Sequence, residues 1–267
     1  MSVRPAAVAG MFYPGDAGDL SASIADALSD AKPAMHDVIA PKALIVPHAG
    51  YIYSGLTAAF AYAAIEPDRI KRVVLFGPAH RVPFYGLALP DVDAFETPLG
   101  QVKLEHAGMQ KALGYSQVAL NRQAHAEEHA LEVQLPFLQT VLNEFELIPL
   151  CVGMVEPDAV AELMRALWGG EETIVIVSSD LSHYHSYNEA RSLDRATIGR
   201  LLAMQVDLSH DQACGATAIN ALQMIAREKE LKPTLLDYRN SGDTAGDKEQ
   251  VVGYAALAYA EHRSVHG

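Results

Sequence analysis

Three apolar runs built to one design constrain this chain more than any other feature. They are Ala43-Leu44-Ile45-Val46-Pro47-His48, Arg72-Val73-Val74-Leu75-Phe76-Gly77-Pro78-Ala79-His80, and Thr173-Ile174-Val175-Ile176-Val177-Ser178-Ser179-Asp180-Leu181-Ser182-His183. Each is short and continuously apolar rather than alternating, the pattern of a strand covered on both faces. The first two stop at residues that end a ladder, since proline lacks the N–H and glycine admits close backbone approach, and the third ends in hydroxyls, an acid and histidines. Just beyond each stop stands a histidine. Strands joined by helices run parallel and bring their C-terminal ends to one edge. In open α/β sheets that edge binds ligands. His48 and His80 are therefore expected to converge, with Asp180 and His183 beside them.

The remaining pattern supports an α/β fold: a single domain over 1–267 with a central, largely parallel mixed sheet flanked by helices. No linker, low-complexity tract or repeat interrupts the alternation of strand and helix signals. Arg4-Pro5 and Met11 to Asp16 read as an extended cover, and Asp19 begins a helix through Leu20, Ile24 and Leu28. Ser54 is placed to cap a helix through Ala58 to Ile65. Residues 86–90 and 93–100 read as antiparallel ribbon. The segment His125 to Leu135 reads as one helix, with His125, Glu128, His129 and Glu132 on one face and Leu131, Leu135 and Leu138 opposite. That stripe is either a solvated face or a source of further ligands. Cys214-Gly215 opens another helix, whose N-terminus favours the thiolate. Residues 241–247 read as a flexible loop before a last strand near 251–258.

Charge narrows the function classes. Twenty basic against 33 acidic residues, a formal charge of −13, argue against nucleic acid or an anionic membrane as the main partner. Two cysteines without a disulfide framework, no signal-peptide pattern and no apolar run of spanning length give the expectation of a cytoplasmic protein. Gly-x-Ser-x-Gly and phosphate-binding glycine motifs are absent from the sequence. What remains is a donor set: His48, His80 and Cys214 offer two imidazoles and a thiolate, able to hold iron, zinc or copper with an open position. Asp180 and His183 would orient a ligand or move protons beside it.

Pro47-His48-Ala49-Gly50-Tyr51 with Ser54-Gly55, Gly77-Pro78-Ala79-His80, Glu127-Glu128-His129 with Glu132 and Leu135-Pro136, Ser178-Ser179-Asp180 with His183, and Cys214-Gly215 together resemble the Memo family. The match runs in order over almost the whole chain and is closest to the prokaryotic AmmeMemoRadiSam system protein B type. The resemblance implies a fold similar to class III extradiol dioxygenases. It implies metal ligands His48, His80 and Cys214, catalytic Asp180 and His183, and Glu128, His129 and Tyr51 in the same pocket. The implied cofactor is a divalent or redox metal, iron(II) first, with copper or zinc as alternatives. A cysteine stands where the related dioxygenases carry a third histidine or a carboxylate. Three readings stay open: a non-haem-iron redox enzyme, a non-catalytic protein binding metal, a small aromatic ligand or a peptide, and a partner of radical-SAM and AMMECR-type proteins.

Overall fold

In a computed structural model, which describes residues 2–32 and 40–261, the three apolar runs are neighbouring strands of one sheet. The chain opens with β1 (Val3–Arg4) and α1 (Ala17–Ala31), then β2 (Ala43–Val46), α2 (Tyr51–Ala63) and β3 (Arg72–Pro78). Short pieces follow: β4 (Leu87–Leu89), β5 (Ala94–Thr97), β6 (Gly100–Lys103), α3 (His106–Leu113), β7 (Val118–Leu120), α4 (Arg122–Ala126), α5 (His129–Glu132) and α6 (Leu135–Val141). Longer elements return with β8 (Glu146–Val152), α7 (Pro157–Leu167), β9 (Thr173–Ser178), β10 (His183–His185), α8 (Tyr187–Leu202), α9 (Ala216–Glu228), β11 (Leu231–Asn240) and β12 (Val251–Glu261).

The main sheet has nine strands in the order β10-β12-β2-β9-β3-β8-β4-β7, with β11 also paired to β12. Its centre, β2-β9-β3-β8, is parallel, while β12 and β4 run antiparallel to β2 and β8. The mixed sheet with a parallel centre is as expected. The chain passes from β2 to β3 in one direction across the sheet and from β8 back to β9 in the other. Right-handed crossovers therefore put α2 and α7 on opposite faces. Accordingly α2 packs on β2 and β12 with α1 against it, and α9 packs on β3 and β9 with α7 against it. Every residue of β2 and β9 is buried. The ribbon expected of 86–90 and 93–100 is corrected: β4 joins the main sheet between β8 and β7, and β5 pairs instead with β6 in an antiparallel hairpin, joined by β1 into a separate three-stranded sheet.

Register sets the site. Val46 pairs with Ser178 and Phe76 with Val177, so the residues just past β2, β9 and β3 leave the sheet at one level. The Ser179 N–H donates to the Val46 carbonyl at 2.8 Å, extending the alignment to Pro47-His48 beside Ser179-Asp180.

Four further local expectations are corrected. Asp16, not Asp19, caps α1, accepting from the Gly18 and Asp19 N–H groups. α2 starts at Tyr51 behind Gly50, and the Ser54 hydroxyl donates to the Ala49 carbonyl. The stretch 125–135 is not one helix. Glu127 departs from helical geometry and the Glu128 carboxylate caps α5 through the Ala130 N–H, so the four polar residues do not share a solvated face. His125, Glu128 and Glu132 are all buried. Residues Ser241–Asp243 form a 3₁₀ turn closed by reciprocal Asn240 and Asp243 side-chain bonds, because two Asx-type side chains there satisfy the backbone locally.

The start of α9 meets the end of β9 at Gly215. A Cβ there would stand 2.8 Å from the Ser179 Cβ and 2.9 Å from the Ser178 carbonyl oxygen. Gly215→Ala should cost about 1–3 kcal/mol of stability, as small-to-large changes in packed interiors do. Urea denaturation of the metal-free protein measures it, and an unchanged midpoint would show that the helix is free to step back.

Candidate metal centre

His48 follows β2, and two neighbours fix it. Its N–H donates to Asp180 Oδ1 at 2.7 Å, and its ring Nδ1 lies 2.8 Å from Ser178 Oγ. The Ser178 hydroxyl gives its proton to the Ala130 carbonyl at 2.7 Å and accepts from Gln134 Nε2 at 2.9 Å. Gln134 is oriented in turn by Tyr62, which donates to its Oε1 at 2.7 Å, and by the Pro47 carbonyl, which accepts from its Nε2 at 2.9 Å. Ser178 Oγ therefore has only a lone pair left for His48, so Nδ1 carries the ring proton and Nε2 presents a lone pair. That Nε2 lies 3.3 Å from Cys214 Sγ.

His80, just past β3, is fixed by a different partner. Glu128 accepts the His80 N–H on Oε2 at 2.6 Å, and the ring Nδ1–H on Oε1 at 2.9 Å. Oε1 also accepts the Ala130 N–H at 2.9 Å. Burial would raise the Glu128 pKa, but the ring bond and charge of His80 and the N–H groups of Ala130 and His80 outweigh it and hold the group at about 2. An ionised carboxylate only accepts, so His80 too keeps its proton on Nδ1 and leaves Nε2 free.

Cys214 lies immediately before α9, and its Sγ accepts the Asp180 N–H at 3.2 Å. The expected thiolate is not what the pocket alone favours. Burial, with the Asp180 charge adding, pushes the thiol up to about 12, against the pull of the Asp180, Ser179 and Gly215 hydrogen bonds. Burial and the charge of His80 pull His48 down to about 3. Cys214 and His48 therefore face each other as a neutral thiol and a neutral imidazole, not as an activated ion pair.

Donor atoms of His48, His80 and Cys214 all lie within 4.8 Å of one another. Metal–nitrogen and metal–thiolate bonds of about 2.0–2.3 Å place tetrahedral ligands about 3.5 Å apart. The 3.3 Å His48–Cys214 pair matches this spacing, and the outer bound exceeds it by roughly 1 Å. With both lone pairs fixed and a thiol between, the residues fit a transition-metal ion.

Asp180 is buried, with Oδ2 4.0 Å from His48 Nε2. Its pKa is raised by burial, against the His48 N–H bond and the charges of His183, His129 and His80. His183 is half-buried and donates from Nδ1 to the Leu181 carbonyl at 2.8 Å, which leaves its Nε2 as an acceptor. His129 stacks on the His80 ring at 4.6 Å and meets the His48 ring edge-on at 5.5 Å. Its Nδ1 is buried without a hydrogen-bond partner, 3.5 Å from Glu128 Oε1. His80, Glu128 and His129 form a second close triad of donors sharing His80. The Tyr51 hydroxyl donates to the Val133 carbonyl at 2.7 Å and its ring packs on Phe137, a supporting position beside the helices that carry Glu128 and His129. Sequence reading passed over Gln134 and Tyr62, whose amide and phenol give no periodic signal. It also passed over His210, whose ring meets the Cys214 carbonyl at 3.1 Å.

A cavity of about 490 Å³ reaches His80 and Cys214 between Phe84, Met154 and His210. A larger one, about 600 Å³, lies beside Trp168 at the opposite edge of the parallel strands and touches none of these donors.

The family described as Memo-like protein matches residues 4–258. A MEMO1 family protein of Aquifex aeolicus is 37% identical over 97% of this chain and 100% of its own length. One from Archaeoglobus fulgidus is 34% identical over 96% and 99%. Among solved structures, an uncharacterized Escherichia coli K12 protein, JW3007, superposes with a TM-score of 0.51 at 12% identity, covering 80% of this chain and 98% of its own, a likeness of fold. No helix among the described residues is long and apolar enough to cross a membrane.

Buried imidazoles give the metal-free protein a defined response to acid. Burial first, and neighbouring charge second, pulls His48 to about 3 and His129 to about 4; burial likewise takes His125, whose Nε2 meets the Ala88 carbonyl, to about 4. Unfolded histidines take up protons near 6.5, so between about 6.5 and 4 the unfolded chain binds more protons than the folded one. Stability is full above 6.5 and falls as the pH drops through this window, with a limiting slope of about 1.4 kcal/mol per pH unit for each group. Denaturation at pH 7.5, 6 and 5 reads it. His125→Gln, which retains a donor for Ala88, should lower the slope by about one proton; an unaltered slope would mean His125 titrates normally.

Proposed function

The chain belongs to the Memo-like protein family, and from that premise we propose that it binds one metal ion through His48 Nε2, His80 Nε2 and Cys214 Sγ and uses it in redox chemistry on a small molecule. The carrying observation is the pair of fixed rings: Ser178 and Glu128 engage both Nδ1 atoms, the free Nε2 of His48 lies 3.3 Å from the thiol, and His80 offers a donor within 4.8 Å of both. The donor set suits iron(II), copper or zinc. Iron(II) is the choice that the resemblance to extradiol dioxygenases favours. When bound, such an ion supplies Lewis-acid or one-electron chemistry.

In this reading the protein's own residues do the remainder. Phe84 and Met154 present an apolar wall to a ligand entering the cavity, which limits water at His80 and Cys214. His183, with Nε2 as acceptor, takes and returns a proton. Asp180 holds the His48 main chain through Oδ1, leaving Oδ2 toward the ring. A second reading is a non-catalytic metal or peptide binder, or a partner subunit of radical-SAM and AMMECR-type proteins. Exposed Tyr85, bridged through its backbone to exposed Met154 at the cavity, favours contact with another molecule there.

Because burial holds His48 neutral and keeps the Cys214 thiol un-ionised, loading one ion at pH 7.5 should release a proton from Cys214. Titration calorimetry in buffers of different ionisation enthalpy measures this. Release of no proton would remove Cys214 from the ligand set. Anaerobic loading followed by elemental analysis tests the ligand set: His48→Ala should lose metal, while His183→Ala should retain it. In an enzyme, His183→Ala should also lower turnover of a catechol or other substrate by roughly 10²-fold or more. Intact turnover would end the proton-transfer role of His183.

A further inference from the structure

Arg4 is almost completely buried, 4% exposed, in a part of the chain that the sequence reads only as a cover. Its guanidinium is used on three sides. Nε donates to the His125 carbonyl at 2.5 Å, Nη2 to the Glu128 carbonyl at 2.8 Å, and Nη1 to Glu132 Oε2 at 2.6 Å. Glu132 also accepts the Ala7 and Val8 N–H groups and the Tyr13 hydroxyl. One buried ion pair thus ties residues 4–13 to the break between α4 and α5.

The break is where Glu128 acquires its function. A continuous helix would direct the 125 and 128 carbonyls into i+4 intrahelical bonds; at the break the 125 carbonyl accepts only the Glu127 and Glu128 N–H groups, the latter at 3.4 Å, and both carbonyls take a further donor from outside the helices. Arg4 supplies it to both. With the main chain of Glu128 held from that side, its carboxylate clamps the main-chain N–H and the ring of His80 together. We propose that Arg4 is a positioning residue for the metal ligand His80, acting through Glu128. This rests on the metal-binding reading above. A planar five-donor fork can serve two carbonyls and a carboxylate at once, whereas a lysine ammonium on a flexible stem cannot hold all three.

The test is anaerobic titration of metal-free protein with cobalt(II), following the thiolate-to-cobalt absorption. Arg4→Lys should weaken cobalt binding by about 10-fold or more, the scale on which partners of ligands act, and alter the absorption envelope as His80 loses its orientation. Leu163→Ala, a core truncation in α7, should lower denaturation stability yet leave cobalt affinity within about 2-fold. In a Glu128→Gln background, Arg4→Lys should cost less than about 2-fold, because residues in one relay are not additive. Wild-type affinity in Arg4→Lys, or an equal loss in both backgrounds, overturns the relay. If Arg4→Lys does not fold, Glu132→Gln, which removes the charge that anchors Arg4, should weaken cobalt in the same direction, and full affinity there overturns the proposal too. Absence of a thiolate band in the wild type would defeat the metal reading and this inference with it; a normal wild-type band with unaltered variants defeats only the relay.

Discussion

A carboxylate removed from water must be surrounded by donors, and four buried acids use main-chain N–H groups to tie the loops at one sheet edge together. Glu128 accepts from His80 and Ala130, Glu132 from Ala7 and Val8, Asp180 from His48, and Asp194 from Ser182. Each contact except Ala130 joins segments distant in sequence. The parallel sheet brings the strand ends to one level, but loops beyond strand ends have no ladder to hold them. Buried carboxylates replace that ladder, with charge-assisted bonds roughly twice as strong as neutral ones. Removing any one would leave buried N–H groups unpaired, so the cluster geometry and the stability of this edge are coupled.

The same burial that makes these bonds strong suppresses charge on Cys214 and His48. A thiol held neutral beside a neutral imidazole is a poor nucleophile, which argues against a cysteine-hydrolase reading despite the 3.3 Å contact. A cation reverses the balance, because its positive charge makes the thiolate the favoured form in the same dry site. In the proposed metal-bound form, the same low dielectric that keeps the Cys214 thiol neutral would strengthen the attraction between a cation and its thiolate.

Much of this was legible in the sequence where local chemistry and topology agree. The runs 43–46, 72–78 and 173–178 read as buried strands because nothing in them needs water, and parallel connection then predicts the meeting of His48, His80 and Asp180. Cys214 was legible through its place before a helix, although its protonation was not, since desolvation depends on what packs around it. The segment 125–135 misled for a physical reason. Helical spacing cannot reveal that Arg4, more than a hundred residues away, donates to the 125 and 128 carbonyls at the break. Gln134 and Tyr62 were invisible for the same reason, since their roles exist only once Ser178 stands between them and His48.

Although the two imidazoles hold their Nδ1 protons alike, they are not equivalent donors. His80 donates its Nδ1–H to an ionised carboxylate, the kind of partner that fixes and polarises an imidazole. His48 gives its proton to a hydroxyl already donating elsewhere and accepting from Gln134, a weaker pull through a neutral chain that ends at the Tyr62 phenol. The cavity reaches His80 and Cys214. His80 and the Cys214 thiol thus line the cavity, while His48 sits behind them, 2% exposed and locked by register. Such asymmetry follows from where the strands end. β2 is covered by β12 on its outer side, so His48 finds only interior partners, whereas β3 ends beside the α4–α5 break that delivers Glu128.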